Sequence, residues 1–262
     1  MIAVKVLHGS SDKRIDQQFM AEVGTIGKVH HFNLVRLYGF CFEKNLIALV
    51  YEYMRNGSLD RYLFQEYNIL GFEKLQKIAI GTAKGIAYLH EECHQIIIHY
   101  DIKPGNILLD TNFNPKVADF GRRRNHDVNL SESQEWFPMW VWKKFDAEQV
   151  NELVTACRIE EKNMEIVERM VKVALSCVQY RPESRPTMSV VVQMLEGLIE
   201  IPKPLNPFQY MIDGTFSSLP VPISQINTDT TIGSGSSVMV TESSVEGVTP
   251  VMTKYQVELA SV

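Results

Sequence analysis

The stretch that most constrains the fold of this chain is residues 96–121, which read IIIHYDIKPGNILLDTNFNPKVADFG. Short apolar runs at residues 96–99, 107–109 and 117–118 are separated by polar turns, which predicts buried strands that hold loops between them. The loops carry Asp101, Lys103, Asn106 and Asp119. Hard divalent cations take oxygen ligands and keep several waters, so carboxylates and an amide beside a lysine suit a magnesium–phosphate site.

The wording of this stretch resembles two loops of protein kinases. The letters HYD at residues 99–101, with Lys103 and Asn106, are similar to the catalytic loop, and the letters DFG at residues 119–121 are similar to the metal-binding motif. The form HYDIKPGNILLD resembles plant receptor-like serine/threonine kinases of the leaf-rust-resistance type, and the resemblance covers roughly residues 1–200. It implies a two-lobed α+β fold, in which a small antiparallel sheet with one helix precedes a mainly helical lobe.

The resemblance also implies roles for the loop residues. Asp101 would accept the proton of the substrate hydroxyl, and Lys103 would neutralise charge on the transferred phosphoryl group. Asn106 and Asp119 would hold Mg²⁺, and Leu108 would pack beneath the adenine of ATP. ATP and Mg²⁺ are therefore the expected cofactors, and a protein hydroxyl is the expected acceptor.

Two charged residues upstream fit the same resemblance. Residues 1–7, MIAVKVL, alternate and are rich in β-branched side chains, which predicts a strand that contains Lys5. Glu22 lies in a pattern typical of an amphipathic helix. The resemblance makes Lys5 the lysine that holds the nucleotide phosphates, Glu22 its ion-pair partner and Ala3 a residue packed on adenine. Without that context, Lys5 would be interpreted as a solvated strand lysine.

Residues 49–59, LVYEYMRNGSL, resemble the hinge of plant receptor-like kinases. Two strands are predicted here, at residues 33–42 and 46–53, with a polar turn between them. The resemblance implies that the backbones of Glu52 and Met54 hydrogen-bond adenine. A buried edge strand without this role is compatible with the same letters, because hinge contacts use backbone atoms.

Two tyrosines carry further implications of the resemblance. Tyr51 matches the residue at the back of the nucleotide pocket. Tyr100 stands where most kinases have an arginine that binds a phosphate on the activation loop. Its presence implies that no phosphate-dependent switch of that kind operates here.

A long amphipathic helix is predicted over residues 72–92, where apolar residues recur at helical spacing. Gly81 and Gly85 lie within it, and each lowers helix stability by up to about 1 kcal/mol relative to alanine. We therefore expect another part of the chain to pack closely against this helix at the two glycines.

The resemblance is interrupted after Gly121. Residues 122–145 contain no A-P-E motif, and no glycine-rich phosphate loop precedes the first strand. Asp127 and Val128 resemble the start of the central helix of a kinase, but polar residues follow where that helix needs apolar ones. The resemblance is completed by residues 166–198, in which Arg185 matches the residue that pairs with the glutamate of A-P-E. We expect Arg185 to find another acid or to stay hydrated, because a buried unpaired charge would cost several kcal/mol.

These observations predict three regions. Residues 1–54 form a remnant of the kinase N-lobe, and residues 55–200 form a C-lobe without its activation segment and central helix. Residues 201–262 are rich in proline, serine, threonine and glycine, which is typical of a disordered tail.

Composition excludes other classes. The 262 residues are 45% hydrophobic, which is enough for a core, and a net charge of -5 gives no electrostatic footprint for nucleic acid. The four scattered cysteines fit reduced thiols in the cytoplasm better than disulfides or zinc. No run approaches the length of a membrane span. We expect a cytoplasmic location, on the cytoplasmic side of the plasma membrane if the chain is part of a longer receptor, since family members are often membrane-anchored.

The predicted function is phosphoryl transfer from Mg-ATP to a protein hydroxyl by a serine/threonine kinase in receptor-like signalling. The alternatives are a catalytically silent kinase-like binding module and a non-functional truncated product. The matching charged residues favour retained chemistry, whereas the missing motifs favour silence. A central helix buries several large side chains at about 1.5–3 kcal/mol each, which is comparable with the stability of about 5–15 kcal/mol of a whole domain.

Overall fold

The fold is known from a computed structural model that describes residues 1–7, 12–43, 46–64, 70–120, 137–157, 159–209 and 257–258. The strands are β1 (Ile2–Val6), β2 (Leu37–Glu43), β3 (Leu46–Glu52), β4 (Ile107–Leu109), β5 (Pro115–Val117) and β6 (Val257–Glu258). The helices are α1 (Asp12–Ile26), α2 (Asp60–Leu63), α3 (Phe72–Ala87), α4 (Phe137–Asp146), α5 (Val150–Ala156), α6 (Met164–Cys177) and α7 (Met188–Glu196). A π-helical turn, Tyr88–Glu92, continues α3, and single 3₁₀ turns span Pro104–Asn106, Glu161–Asn163 and Pro182–Ser184. The predicted order, a small sheet with one helix and then a mainly helical part, is confirmed.

The larger sheet has the strand order β2–β3–β1–β6, and its neighbouring strands are antiparallel. Successive side chains of a strand point to opposite faces, so one face of the sheet is available to pack against a helix. Leu7, Phe19 and Leu49 are at most 7% exposed and join this face to α1. The packing fixes α1, which carries Glu22, beside β1, which carries Lys5.

A second core lies under the β4–β5 pair. Leu89, Leu109 and Val117 are completely buried there. The segment before β2 is bonded to β5, because the Val117 N–H donates to the Asn33 carbonyl at 2.8 Å and the Val35 N–H donates to the Val117 carbonyl at 3.0 Å. This attachment holds the sheet and the helical part together at the position where β5 runs toward the predicted metal-binding loop.

Two strand predictions need correction. The predicted strand at residues 33–42 begins only at Leu37, because the backbone before it bonds to β5. Residues 96–99 form no strand, although the Ile97 N–H donates to the Leu89 carbonyl at 3.0 Å. The predicted strands on either side of the next turn are present as β4 and β5, paired antiparallel.

The predicted helix of residues 72–92 is present as α3 and its π-helical turn. A Cβ atom at Gly81 would lie 2.6 Å from Cγ of Pro115 and 2.9 Å from Nδ2 of Asn33. At Gly85 it would lie 2.8 Å from the Asn33 carbonyl oxygen. The two glycines therefore allow the attachment segment and β5 to approach the helix closely, as the sequence predicts.

The helical part has an apolar core of its own, in which Trp142, Phe145, Leu175 and Phe208 are at most 7% exposed. Phe208 belongs to the stretch that the sequence assigns to a disordered tail. Residues 201–209 instead follow the helices closely enough to bury this aromatic ring. The packed region therefore extends through residue 209 and does not end at residue 200.

The rest of the predicted tail lies outside the described residues except for β6. Its two residues pair with β1, with Glu258 opposite Val4 and Val257 opposite Lys5. The stretch where the kinase resemblance is interrupted, residues 121–136, also lies outside the described residues.

Arg185 binds carbonyl groups instead of an acid. Its Nε donates to the Gln179 carbonyl at 2.8 Å, and its guanidinium also donates to the Tyr180 carbonyl at 3.3 Å. These carbonyls follow the C-terminal end of α6, where the helix dipole favours a positive charge. Arg185 forms no ion pair with the acids of the described residues, and its exposure to solvent removes the cost that a buried unpaired charge would carry.

Candidate active site

A cavity of about 570 Å³ lies where β1, α1, the end of β3 and β4 meet. The predicted site residues among its lining are Ala3, Lys5, Glu22, Glu52, Met54, Asn106, Leu108 and Asp119. Asp101 and Lys103 are next to it, joined to the lining through Asn106. The fold thus brings together all the residues that the sequence proposes for one site, from positions spread over more than half of the described chain.

At the inner end of the cavity, Lys5 is held between two carboxylates. Its Nζ lies 2.9 Å from Oε2 of Glu22 and 2.8 Å from Oδ1 of Asp119. Glu22 is only 1% exposed, so its charge depends on these neighbours. Burial alone would lower the pKa of Lys5, but the two carboxylates outweigh it and raise that pKa above its ordinary value. Lys5 is therefore a fixed positive charge at any pH near neutrality.

Tyr51 is a second partner of Glu22, through a contact that the sequence does not predict. Its hydroxyl donates a short hydrogen bond to Oε1 of Glu22. Burial, followed by the nearby Glu22 carboxylate, raises the pKa of Tyr51 far above its ordinary value, so the hydroxyl stays protonated and can donate. The sequence indicates only that Tyr51 matches the residue at the back of the nucleotide pocket; the contact itself follows from the pairing of β1 with β3, which sets Tyr51 opposite Ala3.

The loop before β4 closes on itself through side-chain hydrogen bonds. The Asp101 carboxylate accepts from Nζ of Lys103 at 2.7 Å and from Nδ2 of Asn106 at 3.1 Å. The Asn106 amide also donates to the Asp101 carbonyl at 2.8 Å. A carboxylate held by an ammonium and an amide has a fixed orientation, which a group that accepts a proton from a bound substrate requires.

His99 joins this loop to the loop that carries Asp119. The Asp101 N–H donates to Nδ1 of the imidazole at 3.2 Å, and Nε2 lies 2.8 Å from the Ala118 carbonyl. These partners define a neutral ring with its proton on Nε2. Burial lowers the pKa of His99 in agreement with that form. The ring also packs edge-on against Phe120, with the ring centroids 4.7 Å apart.

Two residues of these loops have left-handed backbone conformations. The φ angle is +63° at Tyr100 and +66° at Asp119. Non-glycine residues rarely adopt such angles, and each costs of order 1–3 kcal/mol unless the surroundings hold it in place. The hydrogen bonds of His99 and Asn106 supply that restraint and aim the neighbouring carboxylates at the cavity.

The other end of the cavity is apolar and lies beside the segment that follows β3. Leu108 forms part of the cavity wall, and a bridge between Ser58 and Leu108 holds that wall to the segment. Ala3 and the buried Met54 also line the cavity. These side chains give the lining an apolar surface that comes from three different segments of the chain.

The described residues contain neither a larger metal-binding cluster nor a membrane-spanning helix. No group of three or more histidine, cysteine, aspartate and glutamate side chains is arranged there to hold a metal ion. The candidate metal site is accordingly the smaller set predicted from the sequence, one carboxylate and one amide. No helix in the described part of the chain is both long and apolar enough to cross a membrane.

Comparison with known proteins agrees with the geometry. Residues 1–141 match the family model for "Protein tyrosine and serine/threonine kinase". The chain is 38% identical over 263 residues to a G-type lectin S-receptor-like serine/threonine-protein kinase of Arabidopsis thaliana, and the match covers 79% of this chain and 32% of that protein.

Two cereal proteins are similar to the same extent. Rust resistance kinase Lr10 of Triticum aestivum is 35% identical over 268 residues, which cover 79% of this chain and 42% of that protein. The G-type lectin S-receptor-like serine/threonine-protein kinase LECRK3 of Oryza sativa subsp. indica is 36% identical over 262 residues, which cover 80% of this chain and 32% of that protein. This chain therefore spans less than half the length of these relatives. With the family model matched over more than half of its residues, it belongs to the protein tyrosine and serine/threonine kinase family.

Proposed function

We propose that this chain binds Mg-ATP in the cavity and transfers the terminal phosphoryl group to a serine or threonine hydroxyl of a protein. The observation that carries the proposal is the position of Lys5, whose ammonium lies within 3.0 Å of carboxylates from α1 and from the loop after β5. A fixed ammonium at the inner end of a cavity attracts phosphate oxygens. The serine/threonine preference is supported by the names of the relatives.

The apolar end of the cavity suits adenine. Ala3 and Leu108 provide apolar surfaces, and the backbones of Glu52 and Met54 would provide the polar contacts at the edge of the base. The apolar residues and Lys5 line one continuous cavity, so the base and the phosphates would occupy different parts of it. Members of the family use ATP, a divalent metal and protein substrates.

Asn106 and Asp119 fit a magnesium ion. Both line the cavity, and both offer the oxygen atoms that this hard cation prefers. Two protein ligands suffice because magnesium keeps several waters and also binds phosphate oxygens. When bound, the metal neutralises charge on the phosphates; Asp119 already has its carboxylate at the phosphate end, held there by Lys5.

Asp101 would accept the proton of the acceptor hydroxyl. Lys103 and Asn106 hold its carboxylate in one orientation, and the side chain of Lys103 would then neutralise charge on the phosphoryl group in transit. Both residues are joined to the cavity lining through Asn106. The proton and the phosphoryl group are thus handled by neighbouring residues of one loop.

The regional organisation and location follow from the same proposal. Residues 1–54 correspond to the smaller lobe and supply Ala3, Lys5 and Glu22. The helical lobe begins at residue 55 and extends, by its packing, through residue 209. The similarity to receptor-like kinases supports a place on the cytoplasmic side of the plasma membrane within a longer receptor.

A phosphotransfer assay with labelled ATP and serine- and threonine-containing peptides tests the proposal. Asp101→Asn should lower the rate by about 10²- to 10⁴-fold, because general-base catalysis contributes that much. Asp146→Asn, at an exposed position in α4, is the matched control and should leave the rate unchanged. ATP binding without transfer would instead identify a catalytically silent binding module, and equal rates in all three proteins would contradict the role of Asp101.

A further inference from the structure

A second partly buried lysine, Lys116, lies outside the cavity lining, and its side chain forms an ion pair with Glu52. It lies in the middle of β5, and its side chain is only 12% exposed. Its Nζ lies 3.1 Å from Oε1 of Glu52 and donates to the Phe32 carbonyl at 2.9 Å. The ammonium also lies 5.3 Å from the centre of the Phe32 ring. Lys116 is therefore enclosed by a carboxylate, a carbonyl and an aromatic face.

Glu52 is held at both of its ends. Its Oε1 atom accepts a hydrogen bond from the Arg36 N–H at 2.7 Å, and its own N–H donates to the Arg36 carbonyl at 3.0 Å. The side chain is 19% exposed, so solvent competes weakly with these partners. With Lys116 bound to the same oxygen atom, Glu52 has one defined position at the end of β3.

These contacts join opposite ends of the proposed nucleotide site. On one side, Glu52 lies at the end of β3 and belongs to the backbone that would bind adenine. On the other side, Lys116 is paired with Leu108 across the β4–β5 ladder, and β5 leads directly to Asp119 at the phosphate end. An ammonium group thereby links β5 to the end of β3, in addition to the backbone hydrogen bonds that join residues 56–59 to β4.

We propose that Lys116 is a positioning residue for the adenine end of the site, acting through Glu52. The inference rests on the proposed function, because it assumes that the cavity holds a nucleotide. Lys116 does not touch the cavity, so it acts through Glu52, whose carboxylate it holds at the end of β3. Loss of the ammonium removes one of the two groups that hold the Glu52 Oε1 atom and leaves that end of β3 less firmly fixed.

The test compares two probes, adenosine for the hinge end and magnesium tripolyphosphate for the phosphate end. Binding to the full chain is measured by calorimetry well below the melting temperature. Lys116→Met should weaken adenosine binding by about 5-fold, as residues that couple sites through packed networks do, and leave tripolyphosphate binding unchanged. Lys116→Arg keeps the positive charge and should restore adenosine binding.

Controls separate positioning from simple stabilisation. Lys84→Met removes an ion pair with Glu196, 2.6 Å long, that joins α3 to α7 away from the cavity, and it should leave both affinities unchanged. Lys116→Met combined with Glu52→Gln should weaken adenosine binding no more than Lys116→Met alone, because both changes break one contact. A lowered melting temperature with unchanged adenosine affinity would overturn the positioning role. A wild-type chain that binds neither probe would overturn the proposed function itself.

Discussion

The cleft and the helical part of this molecule hold their charged groups in different ways. In the cleft, Lys5, Glu22 and Asp119 form a partly buried ion-pair group, and Asp101 is held by Lys103. In the helical part, Arg185 was expected to find another acid or to stay hydrated, and it is exposed and bound to carbonyl groups. Stability there comes from apolar clusters.

The difference shows which features depend on distant parts of a chain. The hydrogen bonds described for the cleft join residues within the first 120 positions. Arg185 is different, because the glutamate that its family counterpart binds belongs to a motif absent from this sequence. It finds partners within its own neighbourhood, at the end of α6.

The largest effect is expected when a side chain is removed from the apolar core that stabilises the helical part. Phe208→Ala should destabilise the fold by about 3–5 kcal/mol, because the ring is 2% exposed and its removal leaves a cavity. Leu205→Ala is the control, since that side chain is 76% exposed and its loss should cost less than about 0.5 kcal/mol. Denaturant unfolding measures both. Equal effects would mean that residues 201–209 are not packed.

The next effect concerns the charged cleft. Lys5→Met should cost about 3 kcal/mol of unfolding free energy, because Glu22 would remain buried without its cation. Lys172→Met removes an exposed helical pair with Glu168 and should cost about 0.5 kcal/mol or less. Chemical denaturation of the two variants compares them directly. If Lys5→Met lowered the free energy of unfolding as little as Lys172→Met does, the ion pair with Lys5 would not be needed to stabilise the buried Glu22 carboxylate.

The attachment between the two parts can be broken at a glycine. Gly85→Ala places a Cβ 2.8 Å from the Asn33 carbonyl oxygen, and the strain of about 1–3 kcal/mol should exceed the helix-propensity gain of about 1 kcal/mol. Gly24→Ala in α1 meets no atom within 4 Å and should stabilise the chain by up to about 1 kcal/mol. Opposite signs of the change in melting temperature are the expected result; the same sign would refute the close approach.

A pH effect distinguishes the cleft from the helical part. The pKa of buried His99 is lowered in the folded state, so the unfolded chain takes up this proton first as the pH falls. The contribution of His99 to the free energy of unfolding should therefore be complete above the unfolded-state pKa of about 6.5, and it should decrease as the pH falls from there toward the pKa of the folded state. His99→Asn should remove part of this dependence, whereas the exposed His94→Asn should not. Melting temperatures measured across this pH range test the prediction. If the wild-type chain and His99→Asn showed the same dependence of melting temperature on pH, His99 would be excluded as its source.

The smallest effect is expected at Arg185. Arg185→Ala should cost about 1 kcal/mol or less, because an exposed guanidinium bound to two carbonyls contributes only ordinary hydrogen bonds. A cost of several kcal/mol would mean that Arg185 has a buried acidic partner after all. Urea unfolding of this single variant is sufficient.

Much of the arrangement of side chains in the cleft could be predicted from the sequence, because several of them are close neighbours along the chain. Asp101, Lys103 and Asn106 are neighbours in one short loop, so their contacts need little information from elsewhere. The pairing of Lys5 with Glu22 spans a strand and a helix, and only the resemblance to kinases indicates it. Their closeness in space then follows from packing of α1 on the sheet.

Other features could not be predicted because they depend on tertiary packing. The bond from Tyr51 to Glu22 requires the register of β1 on β3, and the pairing of Lys116 with Glu52 requires β5 to lie beside the end of β3. Burial of Phe208 was missed because the proline-rich composition around it is typical of a tail. The fold class was predictable, whereas the extent of the helical part was not.

The central claim is that the cleft holds Mg-ATP, and a thermal melt with and without excess Mg-ATP tests it most directly. A ligand that binds only the folded state stabilises it by about 2.7 kcal/mol at 100 times its dissociation constant. The melting temperature of the wild-type chain should therefore rise, and that of Lys5→Met should rise less at the same ligand concentration. A cooperative melt of the wild-type chain that does not move in saturating Mg-ATP would contradict the claim.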